Sequence, residues 1–135
     1  MRTNKVFILG TVLFALILFC SCDHEVTDIY HYRIDYVEGN SQGAQIIYDY
    51  ANSKGVFTGD QAYTSNDTRD NDNKALDWFD ENAAKIKRSE LKDLLSNRSW
   101  IYDSRVVFFY EVYTGSAANP VMIESKEFVI DPKTW

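Results

Sequence analysis

The chain contains two cysteines, Cys20 and Cys22, and both stand directly behind an apolar run near the amino terminus. A thiol can act as a nucleophile, bind a metal, pair in a disulfide or accept a lipid. No cysteine follows Cys22, so after removal of the preceding residues its thiol has no disulfide partner within the chain. This placement favours lipid attachment.

The first 21 residues have the layout of an export signal. Arg2 and Lys5 form a positive start, and the segment from Val6 to Phe19 is almost wholly apolar. That run has the length of a secretory hydrophobic region and is shorter than the ~20 residues of a membrane-spanning helix. The sequence then turns sharply polar after Cys22.

This segment resembles the bacterial lipoprotein signal, in which the peptide is cut just before a cysteine that receives lipid. Cutting before Cys22 places small Ser21 at the preceding position, whereas cutting before Cys20 places bulky Phe19 there, which that family avoids. The resemblance implies palmitate on Cys22 and attachment to a membrane through the lipid. The alternatives are an ordinary signal peptide with a free Cys22 and an uncleaved anchor.

Two acidic residues, Asp23 and Glu25, follow the cysteine closely. They resemble the sorting signals of Bacteroidetes lipoproteins, which accompany display at the cell surface. In enteric bacteria, an Asp directly after the cysteine marks retention in the inner membrane instead. We expect a lipid-anchored protein of the bacterial envelope, in the outer membrane, on either its periplasmic or its surface face.

The mature chain is acidic. Removal of residues 1–21 takes away two basic residues and no acid, which changes the formal charge from −6 to −8. This charge argues against a nucleic-acid partner, which requires a basic patch. The length predicts a 22–28 tether and a single domain over 29–135.

Catalytic and metal-binding patterns are weak. Asp70, Asp72 and Glu81 have part of the spacing of an EF-hand loop, but Lys74 and Ala75 occupy the positions of an oxygen ligand and the obligatory glycine. The mature chain has two histidines, one of them in the tether, and no serine in a strained catalytic turn. We predict no metal site, no cofactor and no catalytic residue.

One carboxylate remains as a candidate for catalysis, and four other side chains remain as candidates for an interaction surface. Glu111 interrupts an apolar strand face and would serve a carboxylate-based hydrolase, although an exposed position near a hairpin end is the simpler interpretation. The segment 59–73 is rich in Asp, Asn, Ser and Thr and predicts an exposed loop. Its Tyr63, Asp67 and Asp70, with the nearby Trp78, form the predicted interaction surface.

Hydrophobic periodicity defines the remaining elements. Alternation predicts a strand from Ile29 to Tyr36, a central strand over 106–113 and an outer strand over 121–130, with Val56–Thr58 and Trp100–Tyr102 as short strand pieces. Spacings of three and four predict helices over 42–53, from Lys74 to Ile86 and from Ser89 to Asn97. This order predicts an α+β fold, with two to three helices on one face of an antiparallel sheet of three to four strands. We expect the first strand to lie beside the central one.

Three functions follow in order of preference. The first is a lipid-anchored, non-enzymatic binding or accessory protein of the envelope, whose partner is another envelope protein or a glycan. The second is an inhibitor or immunity protein against a basic secreted enzyme or toxin, favoured by the negative charge. The third is a small carboxylate-based hydrolase, which requires two converging acids in a cleft.

Overall fold

A computed structural model describes residues 24–135, so the predicted signal and Cys22 lie outside the described residues. The elements are three α-helices, four strands and two short 3-10 turns. In chain order they are β1 (Val26–Glu38), α1 (Ser41–Ser53), β2 (Gly59–Ser65), α2 (Thr68–Ala83), α3 (Arg88–Ser96), the turn Ser99–Tyr102, β3 (Val106–Ser116), β4 (Asn119–Ile130) and the turn Pro132–Thr134.

The strands form one antiparallel sheet in the order β2-β1-β3-β4. The predicted α+β class is confirmed, and β1 lies beside β3 as expected, with β4 at the edge. Consecutive strands β3 and β4 form a hairpin, whereas β1 and β3 are brought together across the three helices. Of the two central strands, β1 alternates between buried and more exposed side chains around Tyr30–Ile34, whereas β3 buries side chains on both faces over most of residues 106–112.

The helices and one face of the sheet enclose the core. Alternate β1 residues Tyr30, Tyr32 and Ile34 point into it, and from β3 the even-numbered residues 106–112 do the same. The Phe79 ring of α2 stacks on Tyr110, with ring centroids 5.0 Å apart and an interplanar angle of 9°. Burial of these rings supplies most of the driving force that holds the helices to the sheet.

The prediction of an exposed loop over residues 59–73 is wrong. Residues Gly59–Ser65 form the edge strand β2, which pairs with β1 from Val26 to Tyr32, and the short strand predicted at Val56–Thr58 is absent from the described fold. The β2 sequence is polar because an edge strand buries little side-chain area, so its pairing outweighs its weak strand propensity. The same pairing draws Val26–Asp28, predicted as tether, into β1.

Helix α2 begins at Thr68, six residues before the predicted start. The Asp67 side chain caps it by accepting a hydrogen bond from the Arg69 backbone N–H at 2.9 Å. Buried Asn71 fixes this first turn to β1, because its amide donates to the Val26 carbonyl and the Asp28 carboxylate. The predicted strand piece Trp100–Tyr102 is also wrong, since it lies in a 3-10 turn.

Candidate functional site

The sheet has a second face, turned away from the three helices, which we call the open face. Side chains alternate along each strand, so the neighbours of the core residues in β1 and β3 project onto it. Its members from the paired central part of the sheet are His31, Arg33, Asp35, Asp60, Phe109, Glu111, Tyr113, Ser125 and Glu127. The open face therefore combines charged and aromatic side chains on a rigid support.

Glu111 lies at the centre of the open face, directly opposite Arg33. Its carboxylate accepts hydrogen bonds from Arg33 Nε at 3.0 Å and from the Tyr113 hydroxyl at 2.9 Å. The guanidinium also donates to the Tyr113 oxygen at 2.7 Å and lies 4.1 Å from the centre of that ring. These contacts close a triangle of charge-assisted hydrogen bonds.

The expectation that Glu111 is exposed near the hairpin end is wrong. The residue is 6 % exposed, because the side chains of β1 and β3 close over it at mid-sheet. The hydrogen bond to Glu111 raises the pKa of Arg33, and burial raises the pKa of Tyr113, aided by the same carboxylate. An ion pair of this kind orders the surface and holds the Arg33 guanidinium over the Tyr113 ring.

Substitution of Arg33 should destabilise the fold more than substitution of its partner. Arg33→Ala leaves a nearly buried carboxylate with one remaining hydroxyl donor, whereas Glu111→Gln leaves a guanidinium that is half exposed to water. We expect a loss of about 1–3 kcal/mol for Arg33→Ala and less for Glu111→Gln. Urea unfolding of the two variants checks the order; equal losses would show that burial of Glu111 is not decisive.

His31 forms a second polar contact at the β2 side of the open face. Its Nδ1 lies 2.6 Å from the Asp60 carboxylate, and its Nε2 lies 3.4 Å from the Gly115 carbonyl. Beside it is a shallow depression of about 210 Å³, lined by His31, Arg33, Tyr113, Ser116, Ala117 and Pro120. The depression is small, so it suits one inserted side chain of a partner better than a whole ligand.

Two acidic residues and an aromatic residue between them form a row, which we call the acidic row, across the other half of the open face. Asp35 of β1 pairs with Phe109 of β3, which in turn pairs with Glu127 of β4. Both carboxylates are exposed and Phe109 is half buried. Since neighbouring strands lie about 4.8 Å apart, Asp35 and Glu127 are the direct strand neighbours of Phe109 on its two sides. This acidic row matches a Lys or Arg side chain, which gains both charge pairing and a cation–π contact.

The four residues of the predicted interaction surface lie on β2, on α2 and between these two elements, and three of them have structural roles. Tyr63 packs towards the core, 5.7 Å from the Tyr30 ring, and Asp67 caps α2. Trp78 is 37 % exposed and meets Phe57 edge-on at 6.0 Å. Asp70 is exposed in the first helical turn, where its charge suits the positive end of the helix.

The open face was missed because its polar pairs join residues that are far apart in sequence, 29 positions for His31–Asp60 and 78 positions for Arg33–Glu111. Each strand shows the alternation, but the opposition of Arg33 and Glu111 depends on a register that one sequence does not reveal. The signal that could have found it is the pair of opposite charges at the middle of the two most apolar strands. A charge at such a position requires a partner.

Within residues 24–135, no group of three or more His, Cys, Asp or Glu side chains is placed to hold a metal ion. None of the helices in that part of the chain has the length and apolar character needed to cross a membrane. Comparison of the whole chain with protein-family models, with curated proteins and with solved structures finds no match.

Proposed function

We propose that this chain is a lipid-anchored, non-enzymatic binding protein of the bacterial cell envelope, held in the outer membrane by acylated Cys22. The observation that carries the binding role is the acidic row Asp35–Phe109–Glu127, which lies on a sheet face that none of the helices within residues 24–135 covers. The residues before Cys22 support the anchor through their resemblance to a lipoprotein signal. Palmitate labelling of wild type, against Cys22→Ala, tests the anchor directly.

The chemistry of the open face supports recognition rather than catalysis. Glu111 is the carboxylate that a hydrolase would use, yet Arg33 and Tyr113 both donate to the same oxygen of it. Because these two donors hold it and it is only 6 % exposed, this carboxylate is not free to contact a substrate. The exposed acids of the row, in contrast, are accessible to a partner.

The partner that fits the acidic row is a protein with a basic contact surface. The charge of −8 on the mature chain steers such a protein from a distance, and the row offers a local docking point. The same observation favours one particular role as a second candidate, namely inhibition of a basic secreted enzyme or toxin. In that role the acidic row occupies the basic active-site rim of the target.

Site-specific cross-linking in intact cells tests the binding role. A photo-reactive amino acid replaces Asp35 on the open face or, as the matched control, Asp77, an exposed acid on α2. We expect a discrete adduct from position 35 and none from position 77, because the partner covers the sheet and not the helices. Glu127→Lys should weaken that adduct several-fold, since the photo-reactive residue already replaces Asp35 and Glu127 is then the remaining carboxylate of the acidic row.

The result separates the candidates. A protein adduct that fades with added salt supports a basic partner, because exposed charge pairs are screened over about 8–10 Å. An adduct with a glycan, or equal adducts from positions 35 and 77, would contradict docking of a basic protein on the open face. Inactivation of a captured enzyme by the purified chain would establish the inhibitor role.

A further inference from the structure

The end of the sheet at which the chain enters is also the end that carries the β3–β4 hairpin tip. Val26, the first residue of β1, pairs with Ser65 at the end of β2, and Tyr30 pairs with Thr114, two residues before β3 ends. The opposite end carries Glu38, Arg105 and the carboxyl terminus. The domain therefore has an entry end and a far end.

The chain between Cys22 and the first strand is very short. Four residue steps separate Cys22 from Val26, which span at most about 14 Å even when fully extended. A lipid on Cys22 thus holds the entry end of the sheet within that distance of the bilayer surface. The far end then points away from the membrane.

The two sides of the entry end differ in charge. The twelve residues 112–123, which contain the hairpin tip, include no charged side chain, although 25 % of the chain is charged. Val121 and Met122 are more than half exposed there, at 56 % and 51 %. On the other side, the 66–70 turn joins β2 to α2 and includes the first residues of that helix; it carries the exposed side chains Asp67, Arg69 and Asp70.

The tip itself is built to present this uncharged surface. Ser116 and Asn119 form the last strand pair, so a two-residue turn, Ala117–Ala118, closes the hairpin. Gly115 has φ +93°, and a Cβ there would lie 2.7 Å from the Asn119 carbonyl oxygen, so glycine is required for the bend. Small side chains at the turn leave Val121 and Met122 as the prominent apolar groups.

We propose that the hairpin tip, residues 114–122, rests against the lipid bilayer and tilts the domain, so that the 66–70 turn is held off the surface. This inference rests on the lipid attachment in the proposed function. Apolar side chains gain free energy from the membrane interface, whereas carboxylates are repelled by anionic headgroups. The open face then stands away from the bilayer plane, accessible to a partner from the side.

Variants of the full chain with one added cysteine test the contact, because in the proposed anchor Cys20 leaves with the signal and the lipid blocks the Cys22 thiol, so that only the added thiol reacts. Ala118→Cys marks the hairpin tip, Asn66→Cys the charged turn at the same end, and Asp103→Cys the far end. An environment-sensitive fluorophore is attached to each protein after palmitate-labelled material is reconstituted into phosphatidylethanolamine and phosphatidylglycerol vesicles. Quenching by headgroup-labelled lipid should be several-fold stronger at position 118 than at positions 66 and 103.

A charged side chain on the tip provides the second measurement. Met122→Glu adds a carboxylate to an exposed position, so it should leave the fold intact and lower the quenching at position 118 to the level of position 66, at the same end of the sheet. Absence of palmitate would overturn the proposed anchor together with this inference. Palmitate with equal quenching at positions 118 and 66, or quenching unchanged by Met122→Glu, would overturn the hairpin contact alone.

Discussion

Between pH 10 and pH 12 the protein is expected to unfold cooperatively, because four tyrosines are buried in the neutral form. Tyr30, Tyr32, Tyr50 and Tyr110 are each at most 7 % exposed. Burial is the main cause that raises the pKa of all four above the ordinary value of 10.0. For Tyr50 the pKa rises to about 12, aided by its hydrogen bond to Glu90.

The sign of the effect follows from proton linkage. Above pH 10 the unfolded chain loses phenolic protons that the folded chain keeps, so the free energy of unfolding falls as the pH rises. Each tyrosine contributes about 1.4 kcal/mol per pH unit over the interval between its two pKa values. Four such groups remove roughly 5 kcal/mol per pH unit, which within two units matches the whole stability of a typical domain.

Circular dichroism and the absorbance of tyrosinate at alkaline pH measure this transition together. We expect the helical signal to disappear at the same pH at which the buried tyrosines ionise, whereas Tyr102→Phe should not change the midpoint, because Tyr102 is 65 % exposed. Tyr30→Phe should make the transition less steep, since it removes one linked proton. Ionisation of every tyrosine before any loss of helical signal would contradict the burial argument.

The parts of the fold that could be predicted from the sequence are those with strong hydrophobic periodicity. The alternation around Tyr30–Ile34 and around Phe108–Val112 locates the two central strands, and both lie where expected. Helix α1 ends near Gly55, which has φ +70° and closes the helix as predicted. In each case, the local sequence pattern and the burial of one face favour the same secondary structure.

The parts that could not be predicted depend on long-range pairing. The β2 segment has one large apolar side chain, Tyr63, so its sequence resembles a loop, and it becomes a strand only because β1 offers a free edge. The burial of Glu111 was not predicted for the same reason, since it requires Arg33 from a strand 78 residues away. Which side chains meet on the open face thus depends on the register between paired strands. The two-residue period of a single strand does not specify that register.

Truncation of Phe79 should strongly destabilise the described core. Its ring is 2 % exposed and stacks on Tyr110, so it fixes α2 to the centre of the sheet. Phe79→Ala removes that contact and leaves a cavity, at an expected loss of about 3–5 kcal/mol in the free energy of unfolding. The melting temperature should fall by roughly 12–20 °C, as measured by thermal unfolding.

Leu94→Ala is the matched control, because Leu94 lies on α3 and is 37 % exposed. A truncation at a partly exposed position loses less buried area and leaves no closed cavity, so its loss should stay below about 1.5 kcal/mol. Tyr110 is adjacent in β3 to both Phe109 and Glu111. Loss of its stacking contact with Phe79 therefore also weakens the part of β3 that carries these open-face residues. Phe79→Ala should therefore reduce cross-linking from position 35 near its melting temperature but not well below it. Equal losses of stability for Phe79→Ala and Leu94→Ala would show that α2 is not held to the sheet by the aromatic stack.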